Sequence, residues 1–345
     1  MFKEKKSNYT NPASSTWEGI RAAFARQEKV GSLNASDRLE GKTVLVDGAS
    51  SGLGFAIAMQ MAERGARVIM ACRSGIPGKG EEVKRRSGNP NVEMVHVDFA
   101  DFHSIQHLIR TVKEKYAPLD IVVSNAAMVP KQSRKTPQGL EEMFMVNYLS
   151  KFIYINGLVR EDCFRKDGME NPRIVFVASE SHRHPPAFDW EGFGVFKNYG
   201  MNKTVEYYGY YKLLLTTFTR ELSRRINANG NRPISVFALC PGPVNSNIAR
   251  EAPGIFQPLM KLIFAMFFKS PSKAAEPVMY LSASKDQEGK GYDYLFKMSR
   301  KAIDEKAGDE ENGKRLWELS EGIERNLIGP STAQSQSSPH PPDPR

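Results

Sequence analysis

The sequence predicts a doubly wound α/β fold: one parallel sheet with helices on both faces, in a single domain with an extension at each end. Two observations carry this. Short β-branched apolar runs alternate with helix-length segments, and the first run feeds directly into a glycine-rich turn, 47-DGASSGLG-54. Alternation with connections of this length selects parallel pairing, because each helix crosses a sheet face between neighbouring strands.

The first strand is 43-TVLV-46, followed by 67-RVIMAC-72, 92-VEMVHV-97, 119-LDIVVS-124, 173-RIVFVA-178 and 234-ISVFALC-240, with a weaker seventh at 292-YDYLF-296. Continuous apolar runs, rather than strict alternation, are expected of strands covered on both faces. Between them, 54-GFAIAMQMAERGA-66 and 101-DFHSIQHLIRTVKEKY-116 carry helical spacing. Residues 1–40 form a mixed-charge N-terminal extension in which Trp17 to Phe24 can make a short amphipathic helix. The domain runs from 41 to 328, and the Pro-, Ser- and Gln-rich residues 329–345 are expected to be disordered.

Composition narrows the class. A chain of 345 residues can bury a sizeable core, and 40% hydrophobic with 25% charged residues exclude a chain disordered throughout. The net charge of +9 is dispersed, which reads as a solvated surface and not as a nucleic-acid patch. Basic residues could still help the protein sit against anionic lipid. Cys72, Cys163 and Cys240 have no C-x-x-C spacing, so neither a disulfide framework nor a metal site is expected. The start, MFKEKKSNYT, lacks the apolar stretch of a secretory signal, and no run approaches a membrane span. The expectation is a cytoplasmic protein able to touch a membrane peripherally.

The turn after the first strand has the chemistry of a phosphate cradle, as in Rossmann-type folds. Gly48 permits a tight turn, Gly52 lets backbone approach a pyrophosphate, and Gly54 lets the next helix pack closely with its N-terminus toward the phosphates. The second strand ends at Arg73, a cation for a ribose 2′-phosphate, which favours NADP(H) over NAD. Asp98 closes the third strand near the expected adenine edge. The fourth ends Asn125-Ala126-Ala127, small residues that leave room for the cofactor.

Further along, Asn147 lies in 146-VNYLS-150, Ser179 in 177-VASESH-182, Tyr208 and Lys212 in 208-YGYYK-212, and 241-PGPVNS-246 follows the sixth strand. In this order, and with the glycine turn, the chain from about 40 to 300 resembles the short-chain dehydrogenase/reductase family. It is most similar to the retinol dehydrogenase and protochlorophyllide reductase branch, through 70-MACR-73, the V-x-S-x-S-H run, 268-FKSPSKAAE-276 and 315-RLWELSE-321. The resemblance implies cofactor contacts from Gly48, Ser50, Ser51, Gly52, Leu53, Gly54, Arg73, Asp98, Asn125, Tyr208, Lys212 and Val244. It implies catalytic roles for Ser179, Tyr208, Lys212 and Asn147, with Asn147 holding a water that links Lys212 toward solvent. A homo-oligomer formed through helices beside the site is a further implication.

The pairing of Tyr208 with Lys212 also has its own argument. A free tyrosine has pKa ~10, and a lysine one helical turn on, at i+4, can lower it electrostatically. Tyr208 could then exchange a proton with a carbonyl or alcohol oxygen while Ser179 positions that oxygen. The hydride chemistry would belong to the nicotinamide.

Three features depart from the family or extend it. Asp47 stands where the family usually has threonine, and its carboxylate can brace backbone N–H groups as the hydroxyl does, although its charge would lie near the pyrophosphate. The segment 182–206 carries Phe188, Trp190, Phe193 and Phe196, which either line an apolar pocket or anchor the loop, while His182 and His184 read as loop histidines. The run 255-IFQPLMKLIFAMFF-268 is too short to span a bilayer and reads as a lid, a membrane-resting surface or an ordinary buried helix. The chain lacks the protochlorophyllide enzymes' insertion between the serine and tyrosine regions, which argues against photoreduction. The expected function is an NADP(H)-dependent oxidoreductase interconverting an alcohol and a ketone or aldehyde, on a bulky lipophilic small molecule of retinoid, sterol or isoprenoid type. A non-catalytic dinucleotide-binding or redox-sensing protein is the rival.

Overall fold

The computed structural model describes residues 29–166, 170–228, 234–242 and 270–329. The Trp17–Phe24 segment, Val244, the apolar run 255–268 and residues 330–345 lie outside the described residues.

Eight strands form one sheet in the order β3-β2-β1-β4-β5-β6-β7-β8. They are β1 Thr43–Asp47, β2 Arg67–Cys72, β3 Val92–His96, β4 Ile121–Ser124, β5 Arg173–Val177, β6 Ser235–Cys240, β7 Tyr292–Phe296 and β8 Ser299–Arg300. All neighbours pair in parallel except β7 and β8. The seven expected strands are all present. The two-residue β8 was not expected, because a hairpin return this short has no apolar period to read.

Every residue of β1, β4, β5 and β6 is buried, as continuous apolar runs require. Alternate side chains feed the two faces. Leu45, Ile69 and Val122 join one core with helices α3 (Phe102–Lys115), α4 (Ser150–Arg160), α5 (Met201–Asn227) and α7 (Glu310–Ile328). Val44, Val46, Val68 and Met70 join the other, with α1 (Gly52–Glu63), α2 (Gly78–Ser87) and α6 (Glu276–Ala283).

Helix α7 packs across α4 and α5. Trp317 meets Phe152 and Phe218 edge-on or tilted, with ring centroids at 5.1 and 5.9 Å, and Ser320 Oγ lies 2.5 Å from the Tyr148 hydroxyl. The chain reverses strand order between β1 and β4, and a crevice opens there beyond their carboxyl ends, where ligands of doubly wound sheets bind. Among the described residues no helix is long and apolar enough to cross a membrane.

Candidate active site

A cleft of about 420 Å³ lies at this crevice, lined by the glycine turn, the ends of β2, β3, β4, β5 and β6, and one side of α5. Of the expected site residues, Gly48, Ser50, Ser51, Gly52, Leu53, Gly54, Arg73, Asp98, Asn125, Ser179, Tyr208 and Lys212 all line it. Asn147 stands just behind it.

The turn is built for close approach. Gly48 has φ +62° and Gly52 φ +57°, left-handed conformations that side chains rarely adopt. A Cβ on Gly54 would stand 2.3 Å from the Gly48 carbonyl oxygen, so this helix start tolerates no side chain. Arg73 is two-thirds exposed, with Nη1 4.0 Å from Asp98 Oδ2. A contact so long and so wet leaves the guanidinium open to a better anion.

Asp47 ends β1 fully buried and is not among the described residues lining the cleft. Its Oδ1 accepts the amides of Asn125, at 2.7 Å, and of Ala126. The Asn125 side chain returns a bond to the Asp47 carbonyl at 3.1 Å, so β1 and the loop after β4 are stapled together. The carboxylate braces backbone, as its position in the motif suggested.

Asn147 lies on a single turn of π-helix, Met145–Leu149, between Glu142–Phe144 and α4. Such bulges rotate a side chain out of the helical repeat and recur at functional sites. Here the bulge aims Asn147 at the backbone of Met128, which also lines the cleft. Ser179 caps a short 3₁₀ turn, Glu180–Arg183, and its Oγ accepts from the Ser181 hydroxyl at 2.8 Å. Gly209 lets α5 approach that turn, since a Cβ there would lie 3.0 Å from the Ser181 carbonyl oxygen. This close packing brings neighbouring Tyr208 against Ser179.

Burial raises the Tyr208 pKa well above its ordinary value; nearby Cys240 adds to this and a hydrogen bond with Ser179 opposes it. The lowering expected from Lys212 is not seen in this arrangement, where burial is the largest influence and Nζ is drawn to the Val177 carbonyl at 2.8 Å. Nζ stands 5.7 Å from the centre of the Tyr208 ring. Lys212 is itself pushed down to about 8, first by burial and then by the neighbouring Lys151.

One reading of the 182–206 segment is corrected, and one open alternative within it is decided. His182 is no free loop histidine: it is completely buried, with Nδ1 donating to the Ser179 carbonyl at 2.6 Å and Nε2 accepting the Asp304 amide at 3.2 Å. It holds the turn that carries Ser179, and no cluster of metal-ligating side chains occurs among the described residues. The aromatic residues anchor the segment. Phe188 stacks on Trp190 at 4.3 Å, Phe193 meets Phe144 edge-on at 5.4 Å, and Lys135 lies over the Phe196 ring. None of the four is among the described residues lining the cleft.

Sequence reasoning missed Lys151 and Tyr154, which meet Asp47 Oδ2 at 3.3 and 2.9 Å. One signal was present: a lone lysine within the largely apolar run 148-YLSKFIYI-155 needs a buried anion.

A family model described as short chain dehydrogenase matches residues 42–189. Retinol dehydrogenase 13 of Mus musculus is 32% identical over 288 residues, covering 81% of this chain and 82% of its own. WW domain-containing oxidoreductase of Gallus gallus is 32% identical over 298 residues, covering 84% of this chain and 70% of its own. Among solved structures, a short chain dehydrogenase from Burkholderia cenocepacia in complex with NADP shares the fold, with TM-score 0.56 and 23% identity over 75% of this chain and 97% of that one. With the cleft, the glycine turn and these relatives in agreement, the chain belongs to the short-chain dehydrogenase/reductase family, in its retinol dehydrogenase-like branch.

Proposed function

We propose that the protein is an NADP(H)-dependent oxidoreductase that interconverts an alcohol with its ketone or aldehyde, using Tyr208 as the proton donor and acceptor. The observation that carries this is the convergence of Ser179, Tyr208 and Lys212 on the same cleft as the glycine turn. A cradle that a Cβ on Gly54 would fill, followed by an open arginine at the end of β2, fits a dinucleotide bearing a 2′-phosphate. When bound, the nicotinamide supplies or accepts the hydride.

The chain's own residues supply the rest. The glycine turn and the N-terminus of α1 receive the pyrophosphate, Arg73 the 2′-phosphate, and Asp98 and Asn125 flank the cofactor. The hydroxyls of Ser179 and Tyr208 meet on the substrate oxygen, one orienting it and the other moving its proton. A tyrosine kept protonated by burial suits donation to a carbonyl oxygen, which is the reductive direction. Lys212 would leave Val177 for the ribose hydroxyls of the cofactor, where its charge stabilises the tyrosinate as the proton departs. Asn147 holds the water that returns a proton to this pair.

The substrate is a bulky lipophilic alcohol or carbonyl. Support comes from relatives named retinol dehydrogenase. Three free, buried thiols, Cys72, Cys163 and Cys240, fit a reducing compartment, and the protein is proposed to be cytoplasmic with peripheral membrane contact.

Titration of the purified protein with NADPH and separately with NADH, followed by nicotinamide fluorescence, tests the cofactor. Tight NADPH binding followed by turnover of a retinoid, sterol or isoprenoid carbonyl is the expected result. Binding without turnover of any carbonyl or alcohol would favour the non-catalytic rival, and binding of neither nucleotide would reject both.

A further inference from the structure

Lys151 is 1% exposed and no family motif accounts for it. It lies one helical turn beyond Asn147, with Nζ 3.3 Å from Asp47 Oδ2 and 3.7 Å from the centre of the Phe99 ring. Tyr154 donates to the same Oδ2 at 2.9 Å. Each oxygen of Asp47 therefore has its own task. Oδ1 faces the loop after β4 and holds its amides, while Oδ2 faces α4 and meets a cation and a hydroxyl.

A carboxylate buried without a cation is strongly destabilising, and here its charge stands directly behind Gly48, Asn125 and Ala126, which line the cleft. An uncompensated anion there would oppose a pyrophosphate through a low-dielectric wall. The face of Phe99 supports the ammonium from another side, as ring faces attract cations. Burial lowers the Lys151 pKa, and the neighbouring Asp47 carboxylate offsets part of that lowering.

We propose that Lys151 is a positioning residue of the cofactor cleft: it balances the charge of Asp47, so that a carboxylate, in place of a hydroxyl, can hold the Asn125–Ala126 loop without opposing an anionic dinucleotide. The inference rests on the dinucleotide reading above. It assigns Lys151 a role through Asp47 and no contact with cofactor or substrate.

The test is a double-mutant cycle read by NADPH titration, with melting temperature recorded for each variant. Lys151→Met keeps the length of the side chain and removes its charge, and Asp47→Asn keeps an oxygen for the loop amides. Lys151→Met is expected to weaken NADPH binding about tenfold or more, and the Asp47→Asn/Lys151→Met pair to recover to within about threefold of wild type. Should Lys151→Met fail to fold, a double variant that folds and binds NADPH supports the same conclusion. Unchanged binding by Lys151→Met would overturn it. So would a double variant that recovers neither fold nor affinity, because Lys151 would then act by packing alone. Folded wild-type protein that bound neither NADPH nor NADH would reject the cofactor reading and this inference together, whereas binding by wild type isolates the inference.

Discussion

Asn147 and Met128 hold each other through a matched pair of bonds: Oδ1 accepts the Met128 amide at 2.8 Å and Nδ2 donates to the Met128 carbonyl at 2.9 Å. A side-chain amide is thus bound as a strand neighbour would be, and it fixes the loop after β4 where that loop borders the cleft. Asn147→Ala would strand a backbone donor and acceptor together. A loss of roughly 1–3 kcal/mol is expected in urea unfolding. A loss below about 0.5 kcal/mol would mean that water replaces the side chain at no cost.

Tyr208→Phe removes one oxygen from the cleft and leaves the ring in place. Turnover should fall by roughly 10²–10⁴-fold while NADPH affinity holds, because the role proposed for the tyrosine is to move a proton. Equal losses in both would make the hydroxyl a binding group.

Arg73 is the residue proposed to set the choice between nucleotides. Its link to Asp98 is long and exposed, so little is lost when a phosphate replaces the carboxylate. Arg73→Ala should weaken NADPH by about tenfold or more and leave NADH unchanged, measured by parallel titrations. A similar loss for both nucleotides would place Arg73 elsewhere than at a 2′-phosphate.

His182 makes the fold acid-sensitive. Its bonds require Nδ1 to carry the proton and Nε2 to accept one, so only the neutral ring fits, and burial pushes its pKa down to about 4 from 6.5. An unfolded chain takes up this proton below about pH 6.5, the ordinary histidine value, while the folded chain resists until about pH 4. The stabilisation is complete above the unfolded value and is lost as pH falls through that window, on the order of 3 kcal/mol in all. Melting curves from pH 7 to pH 4 should show this slope, reduced in His182→Gln. An identical slope in the variant would assign the acid sensitivity to other groups.

What the sequence made legible was whatever depends on neighbours along the chain. β1, β4, β5 and β6 announced themselves because strands buried on both faces read as nearly continuous apolar runs, and β2, β3 and β7 carry enough of the same pattern to be seen. The glycine turn and the Tyr208–Lys212 spacing are likewise local. The Asp47–Lys151 pair spans 104 residues, and neither partner declares the other until β1 and α4 are side by side. The aromatic segment stayed open for a related reason. Phe188, Trp190, Phe193 and Phe196 show an apolar demand, but composition does not say whether a ligand or Phe144 answers it. His182 was misread because its polar partners are backbone groups of Ser179 and Asp304, which carry no residue-specific mark.

The aromatic seam under α7 also bears on how the protein is made. Phe152 and Phe218 are buried partly by Trp317, which belongs to a helix beginning at Glu310. On a ribosome moving at about 5–20 residues per second, roughly a hundred residues separate Tyr208 from that helix. For some ~5–20 s the nascent chain carries Asn147, Ser179, Tyr208 and Lys212, with Phe152 and Phe218 still lacking the cover that Trp317 adds.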